Sequence, residues 1–230
     1  MAEWGIAAER VPLGGGHRNI VYRTVGPEPN WVFKSTRRAP EALAWLTPVQ
    51  DCARQSGFIV PPLKRSAAGR LVEQGWTCEP FVAGAHPGPD EMSTIADQVA
   101  RFHALARDIL QRPGFLSSQD LLRDEIGGDV DLTAMPNDAV IKCREAWGQL
   151  QGWPQTIVHG DLNSSNLLVT SDGRIAVLDW DECRRDLAVF DIGQLAAISP
   201  AEQRAIIAWE VACAWSVEPD YARRMLEKLT

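Results

Sequence analysis

The first clear pattern along the chain is a β-branched and aromatic run, Ile20-Val21-Tyr22-Arg23-Thr24-Val25, which stops at the turn-forming stretch Gly26-Pro27-Glu28-Pro29-Asn30. Trp31-Val32-Phe33-Lys34-Ser35 resumes the run, so the two stretches predict a hairpin with a longer loop. A helix is predicted over 40–57, opened by Pro40 and Glu41, with Leu43, Leu46 and Val49 at helical spacing. Two further strands are expected at about 60–64 and 70–81, before Val82-Ala83-Gly84-Ala85 breaks the pattern.

Beyond that break the periodicity is mainly helical. Residues 90–110 carry Ile95, Val99, Phe102 and Leu105 on one helical face, and 137–150 read as a second helix. The Gly-, Asp- and Pro-rich stretch 112–136 supports no assignment. Ser199-Pro200-Ala201-Glu202 has the spacing of a capping box with proline in the first helical position. One stretch interrupts the helices: Leu167-Leu168-Val169 and Arg174-Ile175-Ala176-Val177-Leu178 flank Thr170-Ser171-Asp172-Gly173, the signature of a β-hairpin. A strand-rich first third followed by helices implies an α+β protein of two parts, 1–82 and 83–230.

Composition narrows the partners. The 230 residues carry a formal charge of −7, which opposes bulk nucleic-acid binding, since that requires basic surface to displace phosphate counterions. No apolar stretch approaches the roughly 20 residues needed to span a bilayer. The start, Met-Ala-Glu-Trp-Gly, lacks a basic stretch leading into an apolar run, so no secretory leader is expected. Five scattered cysteines with no Cys-x-x-Cys pair suit reduced thiols in a cytoplasmic protein.

The chemistry concentrates around the hairpin. Asn166 enters its first strand and Asp179 leaves its second, so folding brings both to one end, with adjacent strands about 5 Å apart. Two hard oxygen donors at one point, with room for water and phosphate, suit Mg²⁺. Asp161 stands five residues before Asn166, in a loop that follows the apolar Ile157-Val158. A carboxylate there can orient or deprotonate an attacking hydroxyl without being consumed as a ligand. Aspartates beside a hairpin also serve as turn and capping residues. The ordered set Asp161, Asn166, hairpin, Asp179 argues for the metal and phosphate reading.

His159-Gly160-Asp161-Leu162, then Asn166, the hairpin and Asp179-Trp180, resembles the aminoglycoside phosphotransferase and choline kinase-like group, relatives of the protein kinases. The resemblance implies a two-lobed protein-kinase-like α+β fold. Its small N-terminal lobe would hold an antiparallel five-stranded sheet with one helix, and its helical C-terminal lobe the catalytic hairpin. It further implies that Mg-ATP binds in the cleft, that Asp161 is the catalytic base, and that Asn166 and Asp179 hold Mg²⁺. Asp191 matches a family aspartate that supports the catalytic loop. His159 reads as a buried hydrogen-bonding residue, and Asp181 either assists the metal or faces solvent.

The nucleotide elements follow from the same resemblance. Gly14, Gly15, Gly16 and Asn19 match the family's phosphate loop, where glycines let backbone N–H groups approach oxygens. Lys34 matches the strand lysine that reaches the phosphates, against the plainer alternative of a solvated edge-strand lysine. Glu41 is either its ion-pair partner or an acid that complements the N-terminus of its helix. Cys78-Glu79-Pro80-Phe81-Val82 resembles the segment that meets the base, and Phe81 or Val82 would donate there because Pro80 has no N–H.

The acceptor is not named by the sequence. Asp124, Glu125, Asp129 and Asp131, with Asp181, Glu182 and Asp186, either form an acidic pocket for a cationic molecule or belong to a solvated acidic surface. Gly160 in place of the protein-kinase arginine, and the lack of an Ala-Pro-Glu segment after Asp179, argue against peptide phosphorylation. The expected activity is transfer of the γ-phosphate of Mg-ATP to a small-molecule hydroxyl. The alternative is a catalytically silent nucleotide-binding module of the same fold.

Overall fold

A computed structural model describes residues 1–14, 19–26, 29–88, 91–92 and 95–229. The strands, in chain order, are β1 (Glu9–Leu13), β2 (Val21–Val25), β3 (Trp31–Ser35), β4 (Trp76–Pro80), β5 (Ile126–Gly127) and β6 (Val130–Asp131). They continue with β7 (Gln155–Val158), β8 (Leu167–Val169), β9 (Ile175–Val177) and β10 (Arg184–Leu187). The helices used below are α1 (Pro40–Ala44), α2 (Leu46–Gln55), α3 (Ala96–Ala106), α4 (Asn137–Gly148), α5 (Val189–Ile192), α6 (Pro200–Ala214) and α7 (Pro219–Glu227). The chain divides into two compact units: Met1–Ala85 with Leu168–Leu178, and His86–Leu167 with Asp179–Thr230.

The first unit is built on an antiparallel sheet in the order β1-β2-β3-β4. Its register pairs Leu13 with Val21, Val21 with Lys34 and Lys34 with Thr77. Among the described residues this sheet has four strands, not the five expected. β1 escaped the sequence pattern because Pro12 sits inside it. A proline is tolerated there because β1 is an edge strand, where one face of the ladder needs no donor. The expected strand at 60–64 does not form, since Pro61 and Pro62 remove two consecutive donors. The stretch still ties in at both ends: Ile59 pairs in parallel with Ala176, and the Lys64 N–H donates to the Cys78 carbonyl at 2.7 Å. The run expected over 70–81 shortens to β4, because Gln74 and Gly75, both at positive φ, make a two-residue turn between Glu73 and Trp76.

The single helix expected over 40–57 is two, α1 and α2, broken at Trp45. Pro48 supplies the reason: it has no N–H for the Ala44 carbonyl, so the ladder cannot run through. Leu43, Leu46 and Val49 are buried, as their spacing predicts. The hairpin β8–β9, from Leu168 on, belongs to this unit and is closed by Thr170 N–H to the Arg174 carbonyl and by Gly173 at φ 79°.

In the second unit, α3 covers the middle of the helix expected over 90–110, and α4 follows its expected bounds closely. Ala205, Ala208 and Ala212 on α6 let it approach α4, where the fully buried Trp147 donates its indole N–H to the Ala205 carbonyl. The capping box forms as predicted: Ser199 N–H donates to Glu202 Oε2 at 2.8 Å, and Glu202 N–H to Ser199 Oγ at 3.3 Å. Residues 112–136 resolve into two 3₁₀ turns and the small ladder β5–β6. Among the described residues, no helix is long and apolar enough to cross a membrane.

Candidate active site

β7 and β10 pair antiparallel, with Val158 opposite Arg184, so the loop leaving β7 and the segment entering β10 lie side by side. The loop from His159 to Asn166 is held first by a buried carboxylate. Asp191, on α5, accepts from the backbone N–H of His159 and of Gly160, each at 2.9 Å, and lies 2.9 Å from His103 Nε2 on α3. Burial by itself would raise the Asp191 pKa. The hydrogen bond with His103 and the electrostatics of that ring, with smaller contributions from His159 and the Gly160 N–H, outweigh that and hold it below the ordinary carboxylate value. One side chain thus joins α3, α5 and the loop.

Gly160 is at φ 86°, the left-handed region where a side chain is disfavoured. A Cβ there would lie 2.6 Å from Arg184 Nη1 and 2.7 Å from the Glu182 carbonyl oxygen. Arg184 is itself fixed: Nε pairs with Asp186 Oδ2 at 2.8 Å, both groups fully buried, and the guanidinium lies 3.4 Å from the Trp209 ring centroid. Ser118 completes Asp186 with a backbone N–H at 3.0 Å and a hydroxyl at 2.7 Å.

Asp161 is exposed, yet both its oxygens are engaged. Asn163 Nδ2 donates to Oδ1 at 2.7 Å and Asn166 Nδ2 to Oδ2 at 2.8 Å. Asn166 Nδ2 also donates to the Asp161 backbone carbonyl at 2.9 Å. Only an amide nitrogen can donate to these two oxygens, so the Asn166 Oδ1 is the atom turned away from Asp161. Asn163 Oδ1 accepts from the Ser165 N–H and so opens the 3₁₀ turn Ser164–Asn166 that carries Asn166 into β8.

Asp179 lies two residues beyond β9, at φ 58° and ψ 71°, left-handed for a residue with a side chain. Aspartate tolerates this region better than most residues, because its short polar side chain can hydrogen-bond locally. Its carboxylate accepts from the Asp181 N–H at 3.4 Å and starts the 3₁₀ turn Trp180–Glu182. Arg112 holds that turn from within. It is 1% exposed, and its Nη1 donates to the carbonyls of Trp180, Asp181 and Cys183 at 3.2, 2.8 and 3.1 Å. Trp180 packs edge-on against His159, with ring centroids 4.8 Å apart, so the two turns share an apolar contact. His159 is buried and its Nδ1 accepts from the Asp161 N–H at 3.3 Å, the hydrogen-bonding role expected of it.

In the first unit, Lys34 lies on β3, paired on both sides by β2 and β4, so it is not an edge-strand lysine. Glu41 is exposed in the first turn of α1, a placement that favours complementing the helix N-terminus. Gly14 and Asn19 flank 15–18, so Gly15 and Gly16 lie outside the described residues. The Phe81 N–H is spent on the Asn30 carbonyl at 3.0 Å, which leaves Val82 as the backbone donor of that pair.

Of the acidic residues considered for an acceptor pocket, Asp186 is buried in its pair with Arg184, and Asp131 caps its own 3₁₀ turn through Thr133 N–H. Asp124 and Glu125 are exposed, which favours the solvated-surface reading for that stretch. The residues that sequence reasoning missed are Arg112, Arg184 and Ser118. Arg184 and Asp186 left a signal, since residues two apart on a strand share a face. Arg112, in a Pro-Gly turn, left none.

A family model described as the phosphotransferase enzyme family matches residues 9–226. No curated protein matches the sequence. Solved structures resemble it along nearly its whole length. An aminoglycoside phosphotransferase from Alicyclobacillus acidocaldarius subsp. acidocaldarius DSM 446 is 14% identical, with a TM-score of 0.58, over 99% of this chain and 93% of that one. The spectinomycin phosphotransferase APH(9)-Ia, solved with ADP and spectinomycin, is 10% identical with a TM-score of 0.63, over 99% and 91%. A thermostable mutant of APH(4)-Ia, in a ternary complex with AMP-PNP and hygromycin B, is 14% identical with a TM-score of 0.60, over 99% and 94%. At these identities the likeness speaks to the kinase-like fold alone.

Proposed function

The chain belongs to the phosphotransferase enzyme family, and from that premise we propose that it transfers the γ-phosphate of Mg-ATP to a hydroxyl of a small molecule. The observation that carries this reading is the coupling of Asp161 to Asn166. One amide fixes the carboxylate through Nδ2 and turns its own oxygen elsewhere. A base and a metal ligand are thereby set by a single side chain.

The residues fit the ion. Asn166 Oδ1 and the Asp179 carboxylate are hard oxygen donors flanking the two ends of one hairpin, and Mg²⁺ commonly takes one or two protein ligands beside water and phosphate oxygens. Bound there, Mg²⁺ would neutralise charge on the transferring phosphate. Asp161 would accept the acceptor hydroxyl's proton and aim its oxygen at phosphorus, with Asn163 and Asn166 preventing the carboxylate from rotating. In the first unit, Lys34 and the glycines 14–16 with Asn19 would meet the phosphates, and the Val82 N–H the base. Glu41 would act on its helix instead. Structural neighbours solved with spectinomycin and with hygromycin B are the reason to search among small-molecule acceptors. All five cysteines are present as thiols, four of them buried, which suits a reducing, cytoplasmic setting.

The test is Mg²⁺-dependent ATP consumption against pooled hydroxylated metabolites and aminoglycosides. Asp161→Asn is expected to lower turnover of any hit by about 10²–10⁴-fold while nucleotide still binds. Mg-ATP binding without turnover in every pool would favour the silent module. Absence of nucleotide binding would overturn the reading.

A further inference from the structure

The short stretch Gly84-Ala85-His86 runs against the segment that carries Asn166. Ala85 forms an antiparallel bridge with Val169, Ala85 N–H donating to the Val169 carbonyl at 3.0 Å and Val169 N–H returning to the Ala85 carbonyl at 2.7 Å. At Gly84 the approach is so close that a Cβ would lie 2.8 Å from the Val169 carbonyl oxygen and 2.9 Å from Leu168 Cβ. His86 follows, with Nδ1 3.0 Å from the Ser164 carbonyl oxygen and 3.1 Å from that of Leu167. Carbonyl oxygens only accept, so Nδ1 carries the proton and one N–H is shared between them. That arrangement holds in the neutral ring and in the imidazolium alike.

Those two carbonyls bracket Asn166. Ser164 begins the 3₁₀ turn that presents it, and Leu167 begins β8 immediately after it. We propose that His86 is a positioning residue for Asn166: its imidazole N–H fixes the backbone on both sides of the metal ligand and thereby sets where Asn166 Oδ1 points. This rests on the assignment of Asn166 to Mg²⁺ made above. The reach of the effect follows from the bonds already described. Asn166 holds both the backbone and the carboxylate of Asp161, so a shift of the turn would reach the base as well. Nothing in the sequence pattern marks His86, because its partners are backbone atoms more than seventy residues away.

The experiment compares the full-length protein with His86→Ala, His86→Asn and His86→Gln. The asparagine amide nitrogen can occupy the place of Nδ1, whereas that of glutamine reaches towards Nε2. ADP affinity is measured by calorimetry with and without Mg²⁺, and amide exchange of 164–168 is followed in nucleotide-free protein. Loss of one shared hydrogen bond predicts that His86→Ala weakens Mg-ADP binding by about two- to tenfold, the range of a single net bond. Binding without Mg²⁺ is expected to stay unchanged. Exchange at 164–168 should quicken in the alanine and glutamine variants, and asparagine should restore both readouts. Alanine that keeps the Mg²⁺ effect and the slow exchange overturns the inference, as does equal weakening with and without the metal. Failure of the unaltered protein to bind Mg-ADP would instead overturn the proposed function, and this inference with it.

Discussion

Gly160 gives a test of how the site is built that needs no substrate. Its φ of 86° and the two atoms filling its Cβ position make separate contributions, and a second glycine isolates one of them. Gly173, in the hairpin turn, is at φ 79° with nothing within 4 Å of the place a Cβ would occupy, so Gly173→Ala adds only the left-handed strain. That strain is about 1–2 kcal/mol. Gly160→Ala adds the same strain and also drives a methyl group into a backbone carbonyl and into a guanidinium that cannot swing away, because Asp186 and Trp209 fix it. Forcing such atoms apart costs about 1–3 kcal/mol more.

The expected losses are therefore about 1–2 kcal/mol for Gly173→Ala and about 2–5 kcal/mol for Gly160→Ala. For a chain of this length they correspond to drops in melting temperature of about 2–8 °C and 4–20 °C. Urea titrations followed by the fluorescence of the nine tryptophans would measure both, with the slope serving as the check that the denatured state has not changed. Equal losses in the two variants would refute the reasoning, since they would mean that the loop at Gly160 yields freely. An arginine in place of Gly160 would meet the same clash, since that space is already taken by an arginine from β10.

Asp191→Asn should expose the linkage between charge and stability. Because the folded-state pKa of Asp191 is lowered, its contribution is fully present above the unfolded value of about 3.9 and is lost as pH falls through the folded value. Breaking such a buried cluster is expected to cost about 3 kcal/mol or more at neutral pH. The gap between parent and variant, measured by denaturation from pH 7 downwards, should hold to about pH 4 and narrow below it; a gap that widened would contradict the assignment. Gln74→Asn should act in the opposite direction. Gln74 and Gly75 form a turn with both central residues at positive φ, a place that favours Asn-Gly, and a small gain in unfolding free energy is expected, set against loss of the exposed Glu3 contact. No gain would show that the Glu3 contact outweighs the strain.

What the sequence carried was what depends on neighbours along the chain. Alternating and helical patterns located β2, β3, α4 and the hairpin, and Ser199 and Glu202 announced their capping box because the two residues stand three apart. The order Asp161, Asn166, hairpin, Asp179 was legible for the same reason. What failed was either masked by proline or made by distant groups. Pro12 hid β1, and Pro48 split a helix whose apolar spacing looked continuous. Arg112 bonds to carbonyls about seventy residues away, and backbone carbonyls leave no trace in a sequence. The acidic residues illustrate a further limit: charge alone could not separate Asp186, buried against Arg184, from exposed Asp124.

The division between buried and exposed charge has a mechanical meaning. Asp161 and Asp179 are exposed, and an exposed carboxylate on a loop has little packing to hold it. Its position must be inherited from the backbone beneath. Asp191 supplies that for the loop before Asp161 by taking two successive N–H groups, and Arg112 supplies it for the turn after Asp179 by giving to three carbonyls. Each acts on backbone groups, so it sets position without depending on the side chains proposed to do the chemistry. Burying an ion costs free energy that hydrogen bonds must offset. Here the desolvation of Asp191 and Arg112 is offset by bonds whose other ends belong to the two turns of the site. Relaxing a turn would strip hydrogen bonds from a buried charged group, and that penalty opposes movement of the turns.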